Sequence, residues 1–432
     1  MKEKEKAQIR KRNMRLFPIS KSLGWDYIFF YTTNFLFLTQ VKNISAADVV
    51  LIDSFYALFG ILMQVPATFI IEYLGRKKSI VLANILNCVY MLVVMTSVNL
   101  FNLIIAEMLS SLAFGIKESA EPALLNESIP QSKYKSEIFA RINEKGIANW
   151  YVINAISTVL AGIFYDINPY IPIILSLVTT TLVTIISTGF EEPKQNKKKI
   201  EIEEFNQLQE LKESFKFILK SERLKSLILF SALATAIMSI LSSYEVSMLE
   251  ELNMEAKYLC AIFAVIGIIS GLITKKQEQF HNKFKNKSLT VLLLIIAISL
   301  LGAGISGILS ENYTILIAVI ILFYIINNCA RAIFYPLIER YLRNFANDEI
   351  DTKIFVARNF LGSILSAVMG LIASFLLERM STAYCIAIVG ILALIITFMM
   401  SKYMKKRVGL KPYEYSKEEI KYDELKIKEL IS

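Results

Sequence analysis

Histidine is almost missing from this sequence: His281 is its one representative among 432 residues. That scarcity excludes most histidine-based acid–base catalysis and histidine metal cages. Cysteine is scarce too. Cys88, Cys260, Cys329 and Cys385 all stand in apolar stretches at wide spacing, so they read as small buried hydrophobes. Neither a disulfide framework nor a metal site is expected from them. No G-x-x-x-x-G-K-[ST] loop occurs, which argues against an ATP-driven pump. Charge is thin, at 20% of residues against 55% hydrophobic. A membrane helix uses roughly 20 apolar residues, so that hydrophobic share corresponds to about twelve spans. The composition excludes a soluble globular chain, and the remainder is too short for a nucleotide-hydrolysing domain alongside the spans.

Hydropathy predicts spans near 23–40, 47–72, 79–98, 100–125, 146–165 and 170–190, then near 226–249, 257–274, 289–309, 313–338, 355–377 and 383–402. The basic stretch before the first has no small-residue cleavage site, so a retained span is expected, not a removed signal. The net charge of +9 is distributed unevenly: 41 Lys and Arg fall in the tails and loops of one side of this layout and 3 on the other. The asymmetry places both N- and C-termini in the cytoplasm and reads the positive charge as an orientation signal, with no nucleic-acid partner. The expected organisation is an all-α integral membrane protein of the plasma membrane with 12 transmembrane helices. A basic N-tail (1–22) precedes a six-helix bundle (23–190), a cytoplasmic linker (191–225), a second six-helix bundle (226–402) and a C-tail (403–432). Within the linker, Lys197, Lys198 and Lys199 precede Leu208, Leu211, Phe215 and Ile218, whose spacing predicts an amphipathic surface helix. A monomer without cofactor is expected.

The two halves resemble each other at an offset of about half the chain. Asn43-Ile44-Ser45-Ala46 pairs with Asn253-Met254-Glu255-Ala256, and Arg76-Lys77-Lys78-Ser79-Ile80 with Lys285-Asn286-Lys287-Ser288-Leu289. Lys117 and Arg331 each stand five residues before a proline, Pro122 and Pro336, and Ser136-Glu137-Ile138-Phe139 pairs with Thr352-Lys353-Ile354-Phe355. Two parallel six-span repeats describe bundles related by a pseudo-twofold axis, a geometry suited to a midplane site and alternating access.

With this topology the segment Glu72-Tyr73-Leu74-Gly75-Arg76-Lys77-Lys78 resembles the G-x-x-x-D-R-x-G-R-R/K loop of the major facilitator superfamily of secondary transporters. Gly75, Arg76 and Lys77 match; Thr68, Glu72 and Tyr73 replace the first Gly, the Asp and the first Arg. The family's G-P-x-x-G-G element of drug–proton antiporters is absent from span five, although Ala161-Gly162 stands near its end. The resemblance implies that spans one, four, seven and ten line a cavity. It also implies that the acidic loop position latches against the start of span eleven. Glu72 is therefore expected near Arg358 or Thr352, with Gly75, Arg76, Lys77 and Lys78 completing a gating loop that also anchors the chain by its positive charge.

Span four carries Glu107, Lys117, Glu118 and Glu121. Mid-span charges cost roughly 2.5–3.5 kcal/mol each on an insertion scale, so they must face a wet cavity or pair. Lys117 and Glu121, four apart, can meet on one face. Either a proton or substrate site or a structural ion pair accounts for them. Span ten aligns Asn327, Arg331 and Tyr335 in four-residue steps. Arg331 suits an anionic group held bidentately, or it neutralises a carboxylate of span four or seven. Span seven adds Tyr244 and Glu245, the latter a candidate proton carrier. Asp26, beside Trp25, reads as an interfacial carboxylate.

The leading expectation is a secondary transporter of a small molecule, proton-coupled, working by alternating access with efflux favoured; it is not an enzyme. The lipid bilayer and protons are its other partners. Two alternatives remain: a membrane sensor derived from the transporter fold, and a membrane transferase suggested by Asn347-Asp348-Glu349-Ile350-Asp351. The latter needs a second acidic cluster around Mg²⁺ that the sequence does not supply.

Overall fold

A computed structural model describes residues 3–130, 132, 134–192, 222–310, 315–343 and 348–407. Among the described residues the chain is helical, with no strand. It divides into two compact units: Met1–Phe205 with Met254–Ala264, and Asn206–Asn253 with Val265–Ser432. The linker helix expected at 208–218, the lysines 197–199, Asn347 and the tail beyond Arg407 lie outside the described residues.

The first unit contains α1 (Glu3–Gly24), α2 (Phe30–Leu36, continued by a π-helical turn Phe37–Val41), α3 (Ala46–Leu62), α4 (Gln64–Leu74), α5 (Arg76–Thr96), α6 (Leu100–Ser128), α7 (Lys135–Ile167) and α8 (Tyr170–Thr188). The stretch read as an N-terminal tail is the body of α1, and its Asn13, Phe17 and Ser20 are buried. The helix stops at Gly24 and restarts at Phe30, with Phe29 held at φ +73°. A non-glycine residue there costs of order 1–3 kcal/mol, a strain that packing must hold in place. The second span is bent by 50° between α3 and α4. Pro66 explains the bend: it lacks an N–H, and its ring crowds the carbonyl of Leu62 four residues back. Small side chains let α5 and α6 close on each other, with Ala83, Ala113, Ile116, Ala120 and Leu124 forming a core against Phe17 and Phe190.

The second unit contains α9 (Glu222–Ser239), α10 (Leu241–Glu251), most of α11 (Ala256–Thr274), α12 (Gln277–Phe284, ending in a 3₁₀ turn Lys285–Lys287), α13 (Ser288–Leu309), α14 (Ile315–Arg343), α15 (Asp348–Leu377) and α16 (Thr382–Arg407). The first turns of α11 belong with the first unit. There a Cβ on Gly162 would stand 2.7 Å from Cys260 Cβ and 2.8 Å from the Ala256 carbonyl oxygen, so only glycine permits the approach of α7 and α11. The lone His281 is buried, its Nδ1 2.7 Å from the Tyr341 hydroxyl, and fastens α12 to α14.

Among the described residues ten helices are long and apolar enough to cross a membrane, and bent α3–α4 makes an eleventh. The predicted first span falls outside that count because its helix is interrupted. The internal repeat is visible in the backbone. Asn43 and Asn253 both take positive φ, at 53° and 57°, as do Gly75 and Lys285, at 81° and 47°. Ser79 Oγ donates to the Gly75 carbonyl at 2.7 Å, and Ser288 Oγ to that of Lys285 at 2.5 Å.

Candidate functional site

Lys117, in the middle of α6, is 5% exposed, and its Nζ donates to the carbonyl of Gly24 at the end of α1. The last carbonyls of a helix have no partner within it and carry partial negative charge, which a cation satisfies. The interruption of the first span therefore supplies the lysine's acceptor. Asp26 lies in that interruption, one residue after Trp25, with Oδ1 accepting the Tyr27 N–H at 2.7 Å. Glu121 does not form the expected pair with Lys117. Its Oε2 is 3.9 Å from Lys21 Nζ, and among the described residues its Oε1 has no hydrogen-bond partner. Lys21 in turn sits 3.9 Å from the centre of the Trp25 ring. Glu118, on the neighbouring face, is exposed.

In the second unit Glu245 is 2% exposed and collects donors from α14. Asn327 Nδ2 donates to Oε1 at 2.8 Å, and Asn328 Nδ2 reaches Oε1 at 3.2 Å and Oε2 at 3.1 Å. Arg331 Nη1 stands 4.0 Å from Oε1, while its Nη2 donates to the Met238 carbonyl at 3.3 Å, next to the loosened turn between α9 and α10. Arg331 thus stands at ion-pair distance from the carboxylate of span seven, one of the two alternatives the sequence leaves open. Asn327 and Arg331 of the predicted stripe come together; Tyr335 lies a turn further on, packed edge-on against Phe334. Tyr244 is fully buried, and its hydroxyl donates to the Ala373 carbonyl at 2.9 Å, away from the cluster. The contacts Lys117–Gly24 and Arg331–Met238 each join residues 93 positions apart, so the two units carry the same cation-to-carbonyl arrangement.

The loop Glu72–Lys78 is organised by an acid other than Glu72, which is exposed. Gly75 sits at φ 81°, ψ 164°, a region open in practice to glycine alone. Directly after it, Glu192 Oε1 accepts the Lys77 N–H at 2.9 Å and caps the start of α5. Arg76 pairs with Glu127, and Lys78 is exposed. Glu191 is fastened as well: Arg12 Nη2 is 2.5 Å from its carboxylate, and the Asn13 side chain exchanges hydrogen bonds with its backbone. Arg358, the expected partner of Glu72, donates from Nε to Ser231 Oγ at 2.8 Å within its own unit. A Cβ on Gly75 would meet Glu192 Oε1 at 2.7 Å. Gly75→Ala is therefore expected to cost about 1–3 kcal/mol, read as a lowered midpoint of thermal unfolding in detergent.

The profile described as Major Facilitator Superfamily matches residues 22–338. The chain belongs to the major facilitator superfamily. It is a multi-pass membrane transporter of small molecules and not an enzyme. Solved structures agree on the fold. The nucleoside transporter NupG superposes with a TM-score of 0.71 at 11% identity, over 92% of this chain and 99% of that one. A bacterial homologue of the human lysosomal transporter Spinster, inward-facing and unoccupied, gives 0.64 at 13%, over 95% and 100%. A D-xylose–proton symporter gives 0.63 at 12%, over 92% and 97%. No curated protein matches by sequence.

This major facilitator chain holds a further polar network that spacing did not reveal. Tyr27, just past the first-span interruption, bonds through its hydroxyl to Asn87 Oδ1 at 2.9 Å and Ser110 Oγ at 2.8 Å. It stacks on Tyr90 at 4.6 Å, and Tyr90 donates to Glu107 Oε1 at 3.1 Å. Glu107 was noted as ionisable, but its partners stand on other helices and share no sequence spacing with it. Asn328 was missed because a single four-residue stripe selects Asn327 and passes over its neighbour.

Proposed function

We propose that this transporter couples a small polar solute to protons by alternating access. In this reading Glu245 carries the proton and Arg331 receives an anionic part of the solute, while Lys117 is the corresponding cation of the first unit. The observation that supports it is a deeply buried carboxylate whose contacts from α14 are all donors, one of them a guanidinium shared with a backbone carbonyl. Such donors are strong partners for a carboxylate. Protonating Glu245 removes the charge that competes for Arg331 and frees the guanidinium for a solute anion. The similarity to a D-xylose–proton symporter supports protons as the coupling ion, and that to a nucleoside transporter supports a polar solute. Residence in the plasma membrane and outward transport complete the reading.

The test is transport in proteoliposomes of known orientation under an imposed pH gradient, with internal pH recorded while sugars, nucleosides, amino acids and lipophilic cations are added. Proton movement dependent on one solute class, and lost in Arg331→Ala, is the expected result; its sign gives the direction. Tight binding without flux for every binder would replace this reading with the sensor.

A further inference from the structure

Where α1 and α7 meet in the first unit, a groove of about 410 Å³ is lined by Met14, Arg15, Pro18 and Ile19 of α1 and Arg141, Ile142, Lys145 and Asn149 of α7. Three cations thus stand over an apolar floor. Among the described residues no carboxylate pairs with any of them. The groove lies on the lysine- and arginine-rich side of the chain, the side that the charge count assigns to the cytoplasm.

The face of α7 that carries Arg141, Lys145 and Asn149 continues, in steps of three and four residues, through Val152, Ile156, Val159 and Ile163, all exposed. From Asn149 to Ile167, which is 69% exposed, the helix rises about 27 Å, close to the roughly 30 Å of a bilayer's hydrocarbon. That apolar stripe faces acyl chains. Trp25, Trp150 and Tyr151 gather at the Asn149 end of the groove, with Trp25 and Trp150 ring centres 6.0 Å apart and Trp150 and Tyr151 4.9 Å apart. Aromatic rings of this kind settle at headgroup level. Cations above, aromatics at the boundary and an open apolar stripe below match the three parts of one lipid.

We propose that this α1–α7 groove is a binding site for an anionic phospholipid of the cytoplasmic leaflet, whose phosphate is held by Arg15, Arg141 and Lys145 and whose acyl chain follows the exposed stripe of α7. A zwitterionic lipid offers no net charge to the three cations. A free phosphate offers nothing to the stripe.

The experiment uses the full chain, delipidated in a neutral detergent, titrated with dioleoyl-phosphatidylglycerol and followed by native mass spectrometry and thermal unfolding. One tightly retained phosphatidylglycerol and a raised unfolding midpoint are expected, with dioleoyl-phosphatidylcholine giving neither. At about fivefold per cation, R15Q/R141Q/K145Q should weaken retention on the order of 100-fold. The variant K283Q/K285Q/K287Q, which removes charge elsewhere on the same side, should leave it intact. If R15Q/R141Q/K145Q fails to fold, R15K/R141K/K145R keeps the charge and must retain the lipid. Unchanged retention in R15Q/R141Q/K145Q, or in the charge-preserving variant no retention, overturns the proposal. So does an equal loss in the Lys283 variant, which means diffuse attraction. Displacement of the lipid by millimolar inorganic phosphate also overturns it, because the site then belongs to a free anion.

Discussion

Replacing Glu245 by Gln is expected to reduce flux driven by a pH gradient by about 100-fold or more, equivalent to at least ~2.7 kcal/mol at the coupling step. Gln keeps the volume and one acceptor for Asn327 and Asn328, so the change isolates the charge. Removing one partner of a buried ion pair usually costs about 3–5 kcal/mol of stability because the other charge is stranded. Here the cost should fall below that range, since Arg331 stands 4.0 Å away and keeps the Met238 carbonyl and the Asn328 side chain. Solute exchange without a gradient should survive in Glu245→Gln, because exchange needs binding and reorientation but no net proton. The double variant E245Q/R331Q separates the roles further: stability should return toward that of the parent while driven flux stays lost. Driven flux at the parental rate in Glu245→Gln would remove this residue from the coupling mechanism.

Much of the fold was legible because a bilayer leaves few choices. Composition and loop charge suffice for a many-span chain with two repeats, and the matching of Asn43 with Asn253 marks turns that share a left-handed backbone. The approach of Arg331 to a carboxylate of span seven was also within reach, since a mid-span cation needs a partner. The interruption of the first span was not. Hydropathy averages over a window wider than the break, and Trp25, Tyr27, Ile28 and Phe29 keep that window apolar although Asp26 stands among them. The acceptor of Lys117 was hidden for the same reason. Four-residue spacing offers Glu121 as its partner, but a carbonyl at the broken end of another helix lies closer, and no single-helix pattern contains that atom. The anchoring of Glu191 and Glu192 by Arg12, Asn13 and Lys77 joins residues more than a hundred positions apart. It gives the loop Glu72–Lys78 an acidic partner that follows span six, which no spacing within the loop contains.

Lys117→Met is expected to abolish transport by about 100-fold or more while leaving stability nearly unchanged, a separation that follows from two opposed magnitudes. Removing the amine leaves the Gly24 carbonyl without this donor, and a buried unsatisfied acceptor costs about 1–3 kcal/mol. Removing the amine also removes a mid-span cation, which by itself costs roughly 2.5–3.5 kcal/mol. The sum lies near zero or slightly in favour of the variant. A lysine kept at such a position with no net gain in stability is kept for another reason. The second unit indicates the reason, because Arg331 makes the same contact across the same 93-residue separation. Since a guanidinium fills the equivalent place there, Lys117→Arg should retain a substantial part of the flux, whereas Lys117→Met, of similar length and no charge, should not. The measurements are initial rates in proteoliposomes alongside unfolding midpoints of the same preparations. Full flux in Lys117→Met, or a fall in stability large enough to explain its loss, would make Lys117 a cap on a broken helix. Retained stability with lost flux, rescued by Arg, leaves a mobile cation: one that rests on a backbone carbonyl when the site is empty and turns to the solute when it is filled.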